Sequence, residues 1–240
     1  MKKILLLSLA LAASTSSLVH AEVRAYMNFD LGGTGPAEFG WDQAYPGLFE
    51  DAKLTLPSQS HEAAITAWNL PYNYGVAIVG YAAKSNKDGN IFRKLSDDNA
   101  LTAGKSLYFS FTLSSQKTGG TRFSFAKAGT MERQDNAVLQ VRQISSGALS
   151  LFQENKPLGA TKKTYFGETA LVVGFIDYDA GVFKIKVYGS NDPIDSSPKW
   201  DLSAEISPNR VYDRIGLKVA NQAAVGNIYI GDSWNDVTGI

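Results

Sequence analysis

The strongest constraint in this chain is an alternation of period two that begins at Leu107. In Leu107-Tyr108-Phe109-Ser110-Phe111-Thr112-Leu113, the residues Leu107, Phe109, Phe111 and Leu113 fall on one side. Successive side chains of a strand point to opposite faces, so this segment predicts a strand with one wholly apolar face. Arg122-Phe123-Ser124-Phe125-Ala126 repeats the pattern. In 137–144, Ala137, Leu139 and Val141 share one face while Gln140 and Arg142 take the other. Ala148 to Phe152 and Val182 to Tyr188 alternate again, and 215–219 and 227–231 complete the series. Thr169 to Tyr178 is apolar almost throughout, which suits a strand inside a sheet. Turn chemistry separates the runs at Gly119-Gly120, Ser145-Ser146-Gly147, Asn155-Lys156-Pro157, Asp179-Ala180-Gly181 and Asn191-Asp192-Pro193. Strands spaced by about ten residues with turns between them predict an all-β fold, a two-sheet antiparallel jelly-roll sandwich. Helical periodicity is confined to short pieces near His61 to Trp68 and Asp97 to Ala103.

The N-terminal residues read as an address. Lys2 and Lys3 precede an apolar run from Ile4 to Ala13, broken only by Ser8, and Val19-His20-Ala21 stands before Glu22. A charged start, a short apolar stretch and small residues at a cut describe a secretory signal peptide over 1–21. The run is too short to span a bilayer, which takes about 20 residues. The expectation is a secreted or periplasmic protein, 22–240 forming a single jelly-roll domain, with no membrane insertion. Without the leader, 21 basic residues face 23 acidic ones, a net charge of −2. So balanced a chain has no overall electrostatic pull toward nucleic acid. The chain has no cysteine, so an exported fold must be held by its hydrophobic core rather than by disulfides.

Several landmarks in this order resemble a family of secreted concanavalin A-like (laminin-G-like) jelly rolls of bacteria. They are Phe29-Asp30, Gly32-Gly33 and Gly40-Trp41, then Ile91-Phe92-Arg93-Lys94-Leu95, then Val172 to Asp177 with Val182 to Tyr188. The most specific is the closing stretch Asn227-Ile228-Tyr229-Ile230-Gly231-Asp232-Ser233-Trp234-Asn235-Asp236-Val237, which looks like a terminal strand. The resemblance covers essentially all of 22–240. It implies two antiparallel sheets, one concave, with the first and last strands adjacent and Trp234 tucked into the core. Many such domains end in a sorting helix with an arginine tail; this chain stops at Ile240, which implies release. The fold hosts lectins, lyases, hydrolases and adhesion modules, so it implies no single activity.

The residues narrow the chemistry. A glycoside hydrolase needs two carboxylates flanking the scissile bond, and Glu132 and Asp135 sit three apart in a turn-like stretch, on opposite faces of any strand. A lyase would use Tyr and His for proton transfer, with Arg and Gln neutralising a uronate. Gln140 and Arg142 alternate suitably, and Phe125-Ala126-Lys127-Ala128-Gly129 faintly echoes a lyase strand, but past the leader the chain keeps one histidine, His61. No Gly-x-Ser-x-Gly is present, and one histidine without cysteine excludes the common zinc sites. No catalytic residue is assigned. Calcium needs only oxygens, so structural calcium is a candidate cofactor, with Asp30 near Asp232 or Asp236 if the first and last strands meet. The alternative role for that pair is to cap the closing turn. Sugar rings stack on exposed aromatics, and Trp68-Asn69-Leu70-Pro71-Tyr72-Asn73-Tyr74 is the richest such stretch. Trp68, Tyr72, Tyr74, Trp41 and Trp200 are the candidate ligand-binding residues. The expectation is a non-catalytic binding module for a polysaccharide, glycan or matrix ligand. The alternative is a polysaccharide-active enzyme, a lyase or glycoside hydrolase, working on the concave sheet.

Overall fold

Each alternating run becomes a strand whose apolar side points into one shared layer. The computed structural model describes residues 23–27, 42–43, 52–55, 77–80, 89–95, 100–114, 121–127, 139–207, 211–219 and 223–240. One sheet of eight strands has the order β13 (Leu202–Glu205), β12 (Val182–Gly189), β11 (Thr169–Asp177), β6 (Ser106–Ser114), β15 (Ala224–Gly231), β4 (Ala77–Gly80) and β3 (Ala52–Thr55), with β1 (Val23–Met27) also paired to β15. The other, of seven, runs β10 (Lys156–Thr164), β9 (Ala148–Gln153), β8 (Leu139–Gln143), β7 (Arg122–Ala126), β14 (Arg214–Val219), β5 (Gly89–Lys94) and β2 (Asp42–Gln43). Neighbouring strands pair antiparallel, and β1 lies beside β15 with Tyr26 opposite Tyr229, so the first and last strands do meet. Among the described residues no helix is long and apolar enough to cross a membrane.

Between the sheets, Phe109 and Phe111 of β6 face Phe123 and Phe125 of β7, with Val172 and Ile176, Phe183 and Ile185, Leu139 and Val141 around them. The Phe109 and Phe123 rings stack at 5.2 Å, Phe111 and Phe123 at 4.7 Å, and Phe125 meets Phe109 edge-on at 5.2 Å. Such pairs add to simple area burial because ring edges and faces carry opposite partial charge. Phe109 is opposite Gly174 of β11, and its ring occupies the space a side chain there would take: a Cβ on Gly174 would lie 2.0 Å from the ring.

Three local expectations are corrected. Asn155-Lys156-Pro157 is not all turn: Glu154 and Asn155, at φ 50° and 66°, make the reversal, and Lys156 already begins β10. Two consecutive left-handed residues give the hairpin turn whose twist matches its strands. Pro157 is tolerated because β10 is the sheet's edge and needs no further donor. In the piece expected near Asp97 to Ala103, 100–103 are not helical, and Leu101 instead forms an antiparallel bridge to Tyr212; 97–99 and 61–68 lie outside the described residues. The closing stretch is strand only to Gly231, then turns into a short helix, α1 (Trp234–Thr238). Ser233 Oγ accepts the Asp236 N–H (3.2 Å) while Asp236 Oδ2 accepts the Ser233 N–H (2.8 Å), a reciprocal capping box that starts the helix. Gly239, at φ 78°, ends it. Trp234 consequently leaves the inter-sheet core and lies half-buried over the outer face of the eight-stranded sheet.

The Phe109–Gly174 contact gives a direct test. Gly174→Ala should cost about 1–3 kcal/mol by overpacking, and Phe109→Ala about 3–5 kcal/mol by cavity formation, in denaturant unfolding. In the double variant the alanine methyl has room, so the two losses should fall short of additive.

Candidate functional site

The same parity that sends Phe123, Phe125, Leu139, Val141, Leu149 and Leu151 inward sends a polar set outward from the seven-stranded sheet. Two rows cross β7, β8 and β9 in register: Ser124, Gln140 and Phe152 in one, Arg122, Arg142 and Ser150 in the next. Arg142 is the centre of this face. Its Nε donates to the Gln140 amide oxygen, Oε1, and its Nη2 donates to Oδ1 of Asn155 on the β9–β10 turn. The guanidinium carbon lies 4.0 Å from the centroid of the Phe152 ring, a cation–π contact. The plane of this half-buried cation is therefore fixed by two amides and an aromatic face. Ser150 Oγ donates to the Gly159 carbonyl at 2.5 Å, tying β9 to the edge strand. Gln140 and Ser124 are each 1% exposed, and the Ser124 Oγ has no hydrogen-bond partner. A buried hydroxyl left unpaired costs about 1–3 kcal/mol, a local destabilisation carried by this face of the sheet.

The outer face of the other sheet is differently furnished. Tyr108 and Phe175 pack at 4.6 Å, Phe175 and Trp200 stack at 6.3 Å, Trp200 meets Trp234 edge-on at 5.8 Å, and Trp234 meets Tyr188 at 6.5 Å. Leu171, Val173, Tyr229 and Val237 lie beneath, so α1 closes a second, smaller apolar cluster. The Ser110 hydroxyl donates to the Val237 carbonyl (2.7 Å) and pins the helix to β6. Beyond β13, the free edge of β12 is met by two carboxylates: Asp201 Oδ2 accepts the Val187 N–H (2.8 Å) and Asp192 Oδ2 the Gly189 N–H (2.7 Å).

Trp200 thus sits half-buried on the eight-stranded sheet, on the opposite side of the sandwich from Arg142. Trp41, Trp68, Tyr72, Tyr74 and Asp30 lie outside the described residues, as does His61. Asp232 is exposed and its N–H, like that of Ser233, donates to Asp236 Oδ2 at 2.8 Å. Asp236 therefore takes the capping role. Met27, the last residue of β1, pairs with Ile228 in the middle of β15. Among the described residues no group of three or more His, Cys, Asp or Glu could hold a metal ion. Phe152 and Asn155 are site residues that alternation alone did not single out.

No protein-family model matches the chain. No curated protein matches it in sequence. Solved structures do match in shape. A sialidase aligns with 89% of this chain at 12% identity and TM-score 0.55, the chain spanning only 19% of the sialidase. Arcelin-5, a lectin-like defense protein from Phaseolus vulgaris, aligns over 87% of this chain and 96% of its own, at 11% identity and TM-score 0.52. The exoplasmic/lumenal domain of VIP36, in a Ca2+/Man2-bound form, aligns over 90% of both chains, at 8% identity and TM-score 0.52. The fold is a lectin-like jelly roll.

Within this jelly roll the aromatic cluster is also the seat of perturbed ionisation. Burial, the larger cause, raises Tyr188 to about 12, against a smaller lowering by the Asp195 N–H on its hydroxyl (3.3 Å) and smaller raising by the Asp195 and Asp201 charges. Burial raises Tyr108 as well. A folded pKa above the unfolded value of 10.0 adds stability that is complete below pH 10 and lost as pH climbs toward 12. Melting temperature should fall across that window, and Tyr188→Phe should flatten the fall. An undiminished fall in Tyr188→Phe would contradict this.

Proposed function

We propose that this protein is a non-catalytic carbohydrate-binding module whose sugar lies on the outer face of the seven-stranded sheet. The observation that carries the reading is the fixed Arg142, held by Gln140, Asn155 and the Phe152 ring beside the unpartnered Ser124 hydroxyl. Sugar recognition rests on planar amide and guanidinium groups in set positions, and an immobilised side chain loses little further freedom on binding. The fold agrees with this use, since its structural neighbours include a lectin complexed with galactose and a domain in a Man2-bound form. Trp41, Trp68, Tyr72 and Tyr74 are proposed as stacking aromatics contributed by loops. Trp200 belongs to the other face and would serve a separate surface. The leader read in the sequence over 1–21 supports a periplasmic or extracellular setting for the module.

The lyase alternative would use the same Gln140 and Arg142 to hold a uronate while His61 and a tyrosine move protons. A glycan array on the folded protein separates the two. Binding without consumption of the ligand is the expected result, with Gln140→Ala and Trp68→Ala each weakening it about tenfold, the scale of one lost hydrogen bond or stacking contact. Unsaturated products accumulating from alginate would establish the lyase instead. Binding to no glycan, with Trp68→Ala and Tyr74→Ala unchanged in every assay, would remove the proposal.

A further inference from the structure

The turn between β9 and β10 holds two consecutive residues in a backbone conformation that side chains rarely adopt. Gln153 pairs with Lys156 across it, leaving Glu154 at φ 50° and Asn155 at φ 66°. Hairpin turns of this kind favour glycine, because a Cβ makes the left-handed region unfavourable. Asparagine tolerates that region better than most residues; glutamate does not. Strain of this sort persists only where the surroundings hold it, and it gathers at ligand clamps.

The hold comes from the other sheet. Gln153 continues the inward side of β9 after Leu149 and Leu151, opposite Leu139 of β8. Its amide oxygen accepts the Ser207 N–H at 3.1 Å, and its amide nitrogen donates to the Ser207 carbonyl at 3.2 Å. Ser207 is itself anchored, because Ile206 before it belongs to the core and donates its N–H to the Gly181 carbonyl at 2.8 Å. The chain leaving β13 therefore meets both hydrogen-bonding groups of the Gln153 side chain. Two residues on, the turn delivers Asn155, whose Oδ1 accepts from Nη2 of Arg142.

We infer that Gln153 and Asn155 are positioning residues, and that the turn keeps a strained form because that form aims the Arg142 guanidinium at the ligand. The inference rests on the sugar-binding reading and adds how its central arginine is set. Gln140 and Phe152 contact the guanidinium from β8 and β9, and Asn155 adds a contact at Nη2. A group set before binding loses little freedom on binding, so releasing the turn should cost affinity.

The test compares Gln153→Ala, Gln153→Glu and Asn155→Gly with the unsubstituted full chain. Three quantities are measured: the denaturant midpoint, nitrogen relaxation of the Arg142 Nε–H without ligand, and calorimetric affinity for laminarin, xylan and alginate. Asn155→Gly supplies the glycine that the turn favours, so its midpoint should lie at or above that of the unsubstituted chain. The Arg142 Nε–H should nevertheless become more mobile, and affinity should fall about three- to tenfold, the scale of one hydrogen bond. Gln153→Ala should loosen Arg142 through the turn. Gln153→Glu keeps an acceptor for the Ser207 N–H but loses the donor, so it should lie between Gln153→Ala and the unsubstituted chain. The midpoints also establish that each variant folds; if Gln153→Ala does not, Asn155→Gly carries the comparison. An Arg142 Nε–H as rigid in these variants as in the unsubstituted chain overturns the inference. So does a midpoint for Asn155→Gly that falls in step with affinity, which would make the turn merely structural. Arg142 freed in the variants of a chain that binds no polysaccharide supports the positioning and removes the sugar-binding reading.

Discussion

The structure depends on Phe109 lying across Gly174. The bare backbone of β11 at that point lets the ring settle against its own sheet, where it also approaches Phe111 and Phe183, and still reach Phe123 and Phe125 of the facing sheet. One side chain therefore joins β6, β11 and β12 to β7. With Phe123 and Phe125 held inward, the period of a strand leaves Arg122 and Ser124 no choice but the outer face, and register carries the same parity to β8 and β9. A slip of one residue would exchange the two sets, burying arginines in the core, so the core specifies the site as firmly as it specifies the fold.

The two outer faces have opposite fates. On the eight-stranded sheet, Leu171, Val173 and Tyr229 are apolar outward residues, and α1 with Trp234 and Ile194 packs over them. A strand buried on both faces, as β11 is, must be almost continuously apolar, and its sequence is. On the seven-stranded sheet the outward residues of β7, β8 and β9 are serine, glutamine, arginine and the small Ala126 and Ala148, with Phe152 serving as a base for a guanidinium rather than as a member of the core. The closed face provides stability, and the polar face is the one proposed for recognition.

β6, β7, β8, β9 and β12 were legible because one face of each is apolar and the other is not, and β11 because it is apolar almost throughout. What escaped alternation was decided by backbone geometry or by topology. β10 was partly hidden because Glu154 and Asn155 adopt left-handed conformations usually given to glycine. β13, four residues long at a sheet edge, has too little burial on either face to leave a pattern. The end of β15 was misjudged because Ser233 and Asp236 form a capping box inside a stretch that otherwise reads as strand; that serine-to-acid spacing was the available signal. At the site, the outward parity of Gln140 and Arg142 was plain in the sequence. The partnership with Phe152 and Asn155 was not, since it requires the register of the β8–β9–β10 hairpins. Trp200 could be named as an exposed aromatic, but only the pairing of β12 with β13 places it on the far side of the sandwich.

The central claim is that ligand occupies the outer face of the seven-stranded sheet. Amide hydrogen exchange of the protein with and without saturating polysaccharide tests it most directly. The account predicts slowed exchange in 122–126, 139–143 and 148–153, with the segments around Trp200 and Trp234 unchanged. Protection confined to Trp200 and 234–238, with β7, β8 and β9 exchanging as in the free protein, would contradict it.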